Sequence, residues 1–228
     1  MKSVYLNQKD NYQKNFGIAY RSSSIFYFKK NSNFNTIINF MDYWKIKKSI
    51  NVMIIASLRK LNGELVLRET VSLEKGMVVN YTPEIDDEEF EGSLEMEAIG
   101  NGNLDIPFIA MLVIYENKNS VSMVHGYTRT YSPHEIEEKK TIMVGEECGL
   151  TMRDSKDVRS FIIGHNGIYE EPEQDLLMTV YNSNNEKLEK KIKLKKLAKY
   201  ETFKIYPSDH FHELEKFLDN KPGSCSFS

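Results

Sequence analysis

The feature that most restricts the fold of this chain is a strand–turn–strand pattern written twice, the second time in shortened form. Val52 to Leu58, Asn62-Gly63, Glu64 to Leu73 and Tyr81-Thr82-Pro83 recur in outline as Leu176 to Tyr181, Asn184-Asn185, Glu186 to Leu194 and Ile205-Tyr206-Pro207. Gly92-Ser93-Leu94-Glu95-Met96 is echoed by Gly223-Ser224-Cys225-Ser226-Phe227. The matches hold a register of roughly 120–130 residues, which implies two similar units in series. Slips in register fall at expected loops, the largest where Ser208 to Pro222 replaces Glu84 to Glu91.

Alternating apolar and polar residues, rich in β-branched and aromatic types, dominate both copies, and this period of two predicts strands. In the first copy they are expected near Ser24–Lys30, Asn35–Phe40, Ser49–Lys60, Glu64–Leu73, Met77–Tyr81, Gly92–Ile99, Ile106–Tyr115 and Val121–Tyr131. In the second they fall near Gly149–Arg153, Val158–His165, Asp175–Tyr181, Lys187–Leu194, Tyr200–Tyr206 and Ser224–Ser228. Asn62-Gly63 suits a two-residue type I′ hairpin, because both residues tolerate positive φ. One helix is expected near 209–218, capped by Asp209, with Phe211, Leu214 and Leu218 on one face.

These elements predict an all-β chain of two tandem antiparallel β-sandwich domains, immunoglobulin-like or jelly-roll-like. A polar N-terminal segment, 1–21, precedes a first sandwich over 22–131. A charged linker, 132–147, leads to a second sandwich over 148–228 that is shorter or truncated. Counterparts of Ile106–Tyr115 and Val121–Tyr131 are absent from the second copy. The sequence is then a truncated version of a longer protein, or the helix closes the gap, or an open edge is completed by a protein partner or a second copy through strand addition.

Composition limits function. A formal charge of −3 gives no basic excess for bulk binding to nucleic acid. The longest apolar run, Ile106 to Tyr115, is about half the ~20 residues a membrane-crossing helix needs, and the polar N-terminus has no secretory h-region. Cys148 and Cys225 show no metal-type spacing, so reduced thiols and a cytoplasmic location are the expectation. No phosphate-binding glycine loop, G-x-S-x-G elbow, CxxC pair or kinase signature occurs, and no cofactor is expected.

The candidate ligand-binding residues are His125, Tyr127, Arg129, Tyr131, Arg153, His165 and Trp44. The first four alternate on what reads as one strand face, where arginine supplies a bidentate donor and tyrosine a stacking surface for a carboxylate or sugar. The bland alternative is that His125 and Tyr127 cap the core. Arg153-Asp154 and His165-Asn166 are polar positions of the second copy, and turn chemistry explains them as well as an acid–base site does. Trp44 follows Phe40, Met41 and Tyr43, aromatics and a thioether that either stack on sugar rings or plug the end of a sandwich. His210 and His212 are two apart rather than the four of a helical zinc pair, so no metal site is expected. Lys187, Lys190, Lys191 and Lys193 read as a strand's water face, or as a basic strip docking on the acidic loop Glu84–Glu91 of another chain. The functional expectation is a non-enzymatic binding or assembly module presenting loops and an open edge to a protein or glycan partner. The alternative is a carbohydrate-acting enzyme or accessory domain with a site between the two domains.

Overall fold

Period-two alternation is realised as strands throughout a computed structural model that describes residues 20–73, 78–104, 111–125, 128–131 and 150–227. The expected linker 132–147, Tyr127, Cys148 and residues 1–19 lie outside the described residues. The chain is all-β, with three short helices among the described residues, and divides into two compact units, Met1–Val144 and Gly145–Ser228.

The first unit contains β1 (Arg21–Lys30), β2 (Phe34–Met41), α1 (Tyr43–Lys48), β3 (Val52–Lys60), β4 (Leu65–Val71) and β5 (Val78–Tyr81). It continues through β6 (Phe90–Gly100), β7 (Met111–Asn117), β8 (Ser120–His125) and β9 (Thr128–Tyr131). These form a five-stranded sheet, β4-β3-β6-β1-β9, and a four-stranded sheet, β5-β2-β7-β8. Consecutive β1 and β2 pair with consecutive β6 and β5, so one two-stranded arm lies along another. Phe26, Phe28, Ile54, Leu58, Leu94 and Met96 of the larger sheet meet Ile38, Phe40, Met111 and Val113 of the smaller in a single buried core. Each such side chain contributes about 1.5–3 kcal/mol by leaving water.

Three local expectations are corrected here. Tyr43 to Lys48, soon after β2, form a helix, α1, where none was expected, because the Asp42 carboxylate accepts the Lys45 N–H at 3.0 Å and three lysines in the last turn complement the carbonyl end. The Asn62-Gly63 hairpin is a three-residue loop rather than a type I′ turn. Gly63 N–H donates to Lys60 O at 2.9 Å and only Gly63 takes positive φ, 86°, while Asn62 Oδ1 accepts from Glu64 N–H. The expected strand Val121–Tyr131 is two strands, β8 in the smaller sheet and β9 in the larger.

The second unit contains β10 (Leu150–Met152), β11 (Asp154–Ser155), β12 (Val158–Arg159), β13 (Ile162–His165), β14 (Gln174–Tyr181) and β15 (Lys187–Leu194). Then follow β16 (Thr202–Ile205), α2 (Pro207–His210), α3 (Leu214–Leu218) and β17 (Gly223–Phe227). Its main sheet runs β15-β14-β17-β10 and a two-stranded sheet pairs β16 with β13. That order repeats β4-β3-β6-β1 and β5-β2 of the first unit. The turns agree as well: Asn185 N–H donates to Asn182 O at 3.1 Å with φ 62° at Asn185, as Gly63 does to Lys60.

The recurring glycine has the same cause in both copies. A Cβ on Gly92 would stand 1.9 Å from the Arg59 carbonyl oxygen, and one on Gly223 would stand 2.5 Å from that of Tyr181. In each case the strand lies too close to the end of its neighbour for a side chain.

The expected helix 209–218 is broken into α2 and α3. Pro207 starts α2 in its first turn, where the missing N–H costs nothing, and Asp209 pairs with Arg159 instead of capping. The apolar face is nonetheless used as anticipated: Phe211, Leu214 and Leu218 are buried with Met152, Met178, Val180, Ile192 and Cys225. These side chains close the core of the smaller unit.

Candidate binding surface

In the first unit the two outward sheet faces have opposite characters. On the larger sheet, odd-numbered residues of β6 point away from the core, which brings Glu95 and Glu97 onto the outer face beside Ser57 and Arg59 of β3. Yet both carboxylates are sealed from water, at 1% and 0% exposure. Arg59, itself buried, donates to Glu95 Oε2 at 2.9 Å, Arg68 of β4 stands 3.0 Å from Glu97 Oε2, and Arg21 of β1 pairs with Glu97. Arg68 also donates to Ser57 Oγ at 2.9 Å, fixing its fork. Burial, then the adjacent Glu97 charge, push the Glu95 carboxyl above the ordinary carboxylate range against the pull of Arg59 and Arg21.

Paired carboxylates are the usual equipment of acid–base chemistry. Here they are held by guanidinium groups and reached by no solvent, so they act as a structural clamp across β1, β6, β3 and β4. Sequence reading missed them because Glu95 and Glu97 alternate with Leu94, Met96 and Ala98, the pattern of a strand with one wet face. Alternation reports two faces without telling a wet face from a covered one.

The smaller sheet shows the reverse. Its outer face carries Ile37 of β2, Ile114 of β7 and Met123 of β8, which are cross-strand partners in one row. Leu112 and Val121 flank that row, and Met41 faces Val78 further along. Val121 is 69% exposed, Met123 61% and Val124 50%, and every residue of β8 is exposed. Among the described residues β8 is the last strand of its sheet, and it has no Lys, Arg, Asp or Glu. The face is not wholly apolar, since Glu116 stands opposite Val121 and Asn39 opposite Leu112, but an edge strand without charge of its own offers unpaired backbone groups. By contrast β15, an edge strand of the second unit, is guarded by exposed Lys187, Lys190, Lys191 and Lys193. Several charges in and after that strand are matched within the unit, as in Lys187–Glu189 at 3.0 Å and Lys195–Glu201 at 2.7 Å.

Within the first unit, the residues singled out from sequence fall in separate places. His125 ends β8, exposed, on the apolar outer face opposite Leu112. Arg129 and Tyr131 lie on β9 of the other sheet, at Cα positions paired with Ser23 and Arg21, so no one strand face carries His125 with Arg129. Trp44 is buried in the core of the first unit, plugging rather than presenting. In the second unit the Arg153 backbone is tied to the Ser160 hydroxyl, whose Oγ donates to Arg153 O at 2.5 Å and accepts from its N–H at 2.9 Å across the β11–β12 pair. His165 Nδ1 lies 2.9 Å from Thr202 Oγ1, and burial lowers its pKa to about 4, so the ring is neutral at pH 7. Neighbouring Asn166 spends its amide on the carbonyls of Tyr169 and Ala198, each at 2.7 Å.

Among the described residues no three His, Cys, Asp or Glu side chains converge as a metal would require, and no helix is long and apolar enough to cross a membrane. No protein-family model matches the chain, and a search of curated proteins returns no match.

Proposed function

We propose that this chain is a non-enzymatic assembly module whose β8 edge and adjoining apolar face take a second copy of the same chain. The observation that carries this reading is the exposure of an uncharged strand, last in its sheet among the described residues, bearing Val121, Met123 and Val124. Antiparallel self-pairing centred on Ser122 sets Val121 opposite Met123, and with no charged residue in the strand no repulsion opposes it. The same operation joins the two outer faces at their rims, extending a four-stranded sheet to eight. The buried thiol of Cys225 fits a reducing compartment, and the cytoplasm is the assigned location under this reading.

Size-exclusion chromatography with light scattering tests the proposal. The chain is expected at twice its mass of 26.5 kDa at micromolar concentration, with Met123→Lys eluting as a folded monomer. A monomeric parent chain, or a dimer indifferent to Met123→Lys, overturns it.

A further inference from the structure

Apart from the β8 edge, the first unit has a cleft of about 420 Å3 where the β1–β2 turn meets the β7–β8 turn. The pairing of Phe34 with Asn117 brings the two turns together. The volume falls in the range of small-molecule sites. Its lining is unusual for a surface groove: two lysines, four asparagines and one phenylalanine, with no carboxylate.

The turns determine which groups remain available. Asn31 Oδ1 accepts the Asn33 N–H, and Asn117 Oδ1 accepts those of Asn119 and Ser120, each at 2.9 Å. These bonds fill Asn117 Oδ1 and engage one lone pair of Asn31 Oδ1, leaving the amide N–H2 groups as donors. Asn33 and Asn119 keep donor and acceptor together, the pairing that vicinal hydroxyls satisfy. Among the described residues neither Lys29 nor Lys118 has a carboxylate within ion-pair distance. Phe34 closes one wall, held by a tilted contact with Tyr115 at 5.9 Å between centroids, and Tyr115 donates to Tyr27 O at 2.9 Å.

We propose that this cleft binds an acidic sugar, a pyranose ring bearing a carboxylate. The ammonium groups of Lys29 and Lys118 take the carboxylate, the amides of Asn33 and Asn119 take ring hydroxyls, and the Phe34 ring takes the C–H face of the sugar. A bare anion would leave Phe34 and the bifunctional amides unused. A neutral sugar would leave two ammonium groups unanswered.

Calorimetry and an amide NMR titration of the full chain with sodium glucuronate test this, with glucose and sodium sulfate as parallel arms. Saturable binding of glucuronate is expected, with shifts confined to the two turns and about tenfold weaker binding in Lys29→Gln/Lys118→Gln. Lys118→Gln alone, at an exposed turn position, gives a smaller loss and guards against a folding defect in the double variant. Equal affinity for glucose removes the anionic reading, and equal affinity for sulfate removes the sugar. Absence of saturable glucuronate binding overturns the site altogether.

Discussion

Replacing Gly92 by alanine tests whether the repeated glycine is dictated by strand spacing. The added Cβ would sit 1.9 Å from Arg59 O and 3.0 Å from both the Arg59 carbonyl carbon and the Phe90 ring. Carbon–oxygen contact needs more than 3 Å, so β6 and the end of β3 must part by roughly 1 Å. Overpacking of this kind costs about 1–3 kcal/mol, and weakening the ladder at the Lys60–Gly92 and Arg59–Ser93 positions adds about 1 kcal/mol. The strain also reaches the Arg59–Glu95 bond, so a total of about 2–4 kcal/mol is expected. Trp44, the chain's single tryptophan, is buried in the same core and reports this unit by fluorescence during urea unfolding. With a slope near 2 kcal/mol per molar, the midpoint should fall by about 1–2 M. A Gly92→Ala midpoint matching the parent's refutes the spacing explanation for Gly92, and with it the shared cause assigned to Gly223.

Glu95→Gln should change the pH response of the first unit. A carboxyl whose folded pKa is raised contributes stability that is present below its unfolded pKa and lost as pH rises through the folded value. The parent chain should therefore lose stability relative to the variant as pH rises above the ordinary carboxylate range in Trp44-monitored urea titrations, and a pH-independent difference counts against this. His165 has the opposite sign: its pKa falls from 6.5 to about 4, so stability is lost as pH drops through that window, by about 3 kcal/mol in full. His165→Asn should flatten the loss, read by circular dichroism melts between pH 7 and pH 4. Gly63→Ala, at φ 86°, should cost about 1–2 kcal/mol and lower the melting temperature by several degrees, while an unchanged melt contradicts the loop geometry described.

Strands and their recurrence along the chain were legible because turn chemistry and alternation are local, whereas the order of strands within each sheet was not. Asn62-Gly63, Gly92 and Gly223 each mark a place where backbone geometry admits few residues. The helical stretch expected at 209–218 was legible as an apolar face at Phe211, Leu214 and Leu218, but its division into α2 and α3 was not. The crossing between β8 and β9 was hidden because Val121 to Tyr131 alternates without a break in period. The two outer faces were the least legible. Glu95 and Glu97 look wet and are sealed, while Val121 and Met123 look like core and are bare, because burial is decided by distant chain that alternation does not encode.

The buried clamp on β6 bears on how a chain with two like strand orders sorts itself while folding. Repeats invite exchange, in which a strand from one copy enters the vacant slot of the other. β17 matches β6 at its glycine, yet carries Ser226 where β6 carries Glu95. Set between β1 and β3 it would deprive buried Arg59 of its carboxylate, an error costing about 3–5 kcal/mol. β6 placed between β10 and β14 would bring Glu95 to the position opposite Thr179, away from Arg59. The charges thus serve as an address label, legible to the chain only once the wrong strand has been tried.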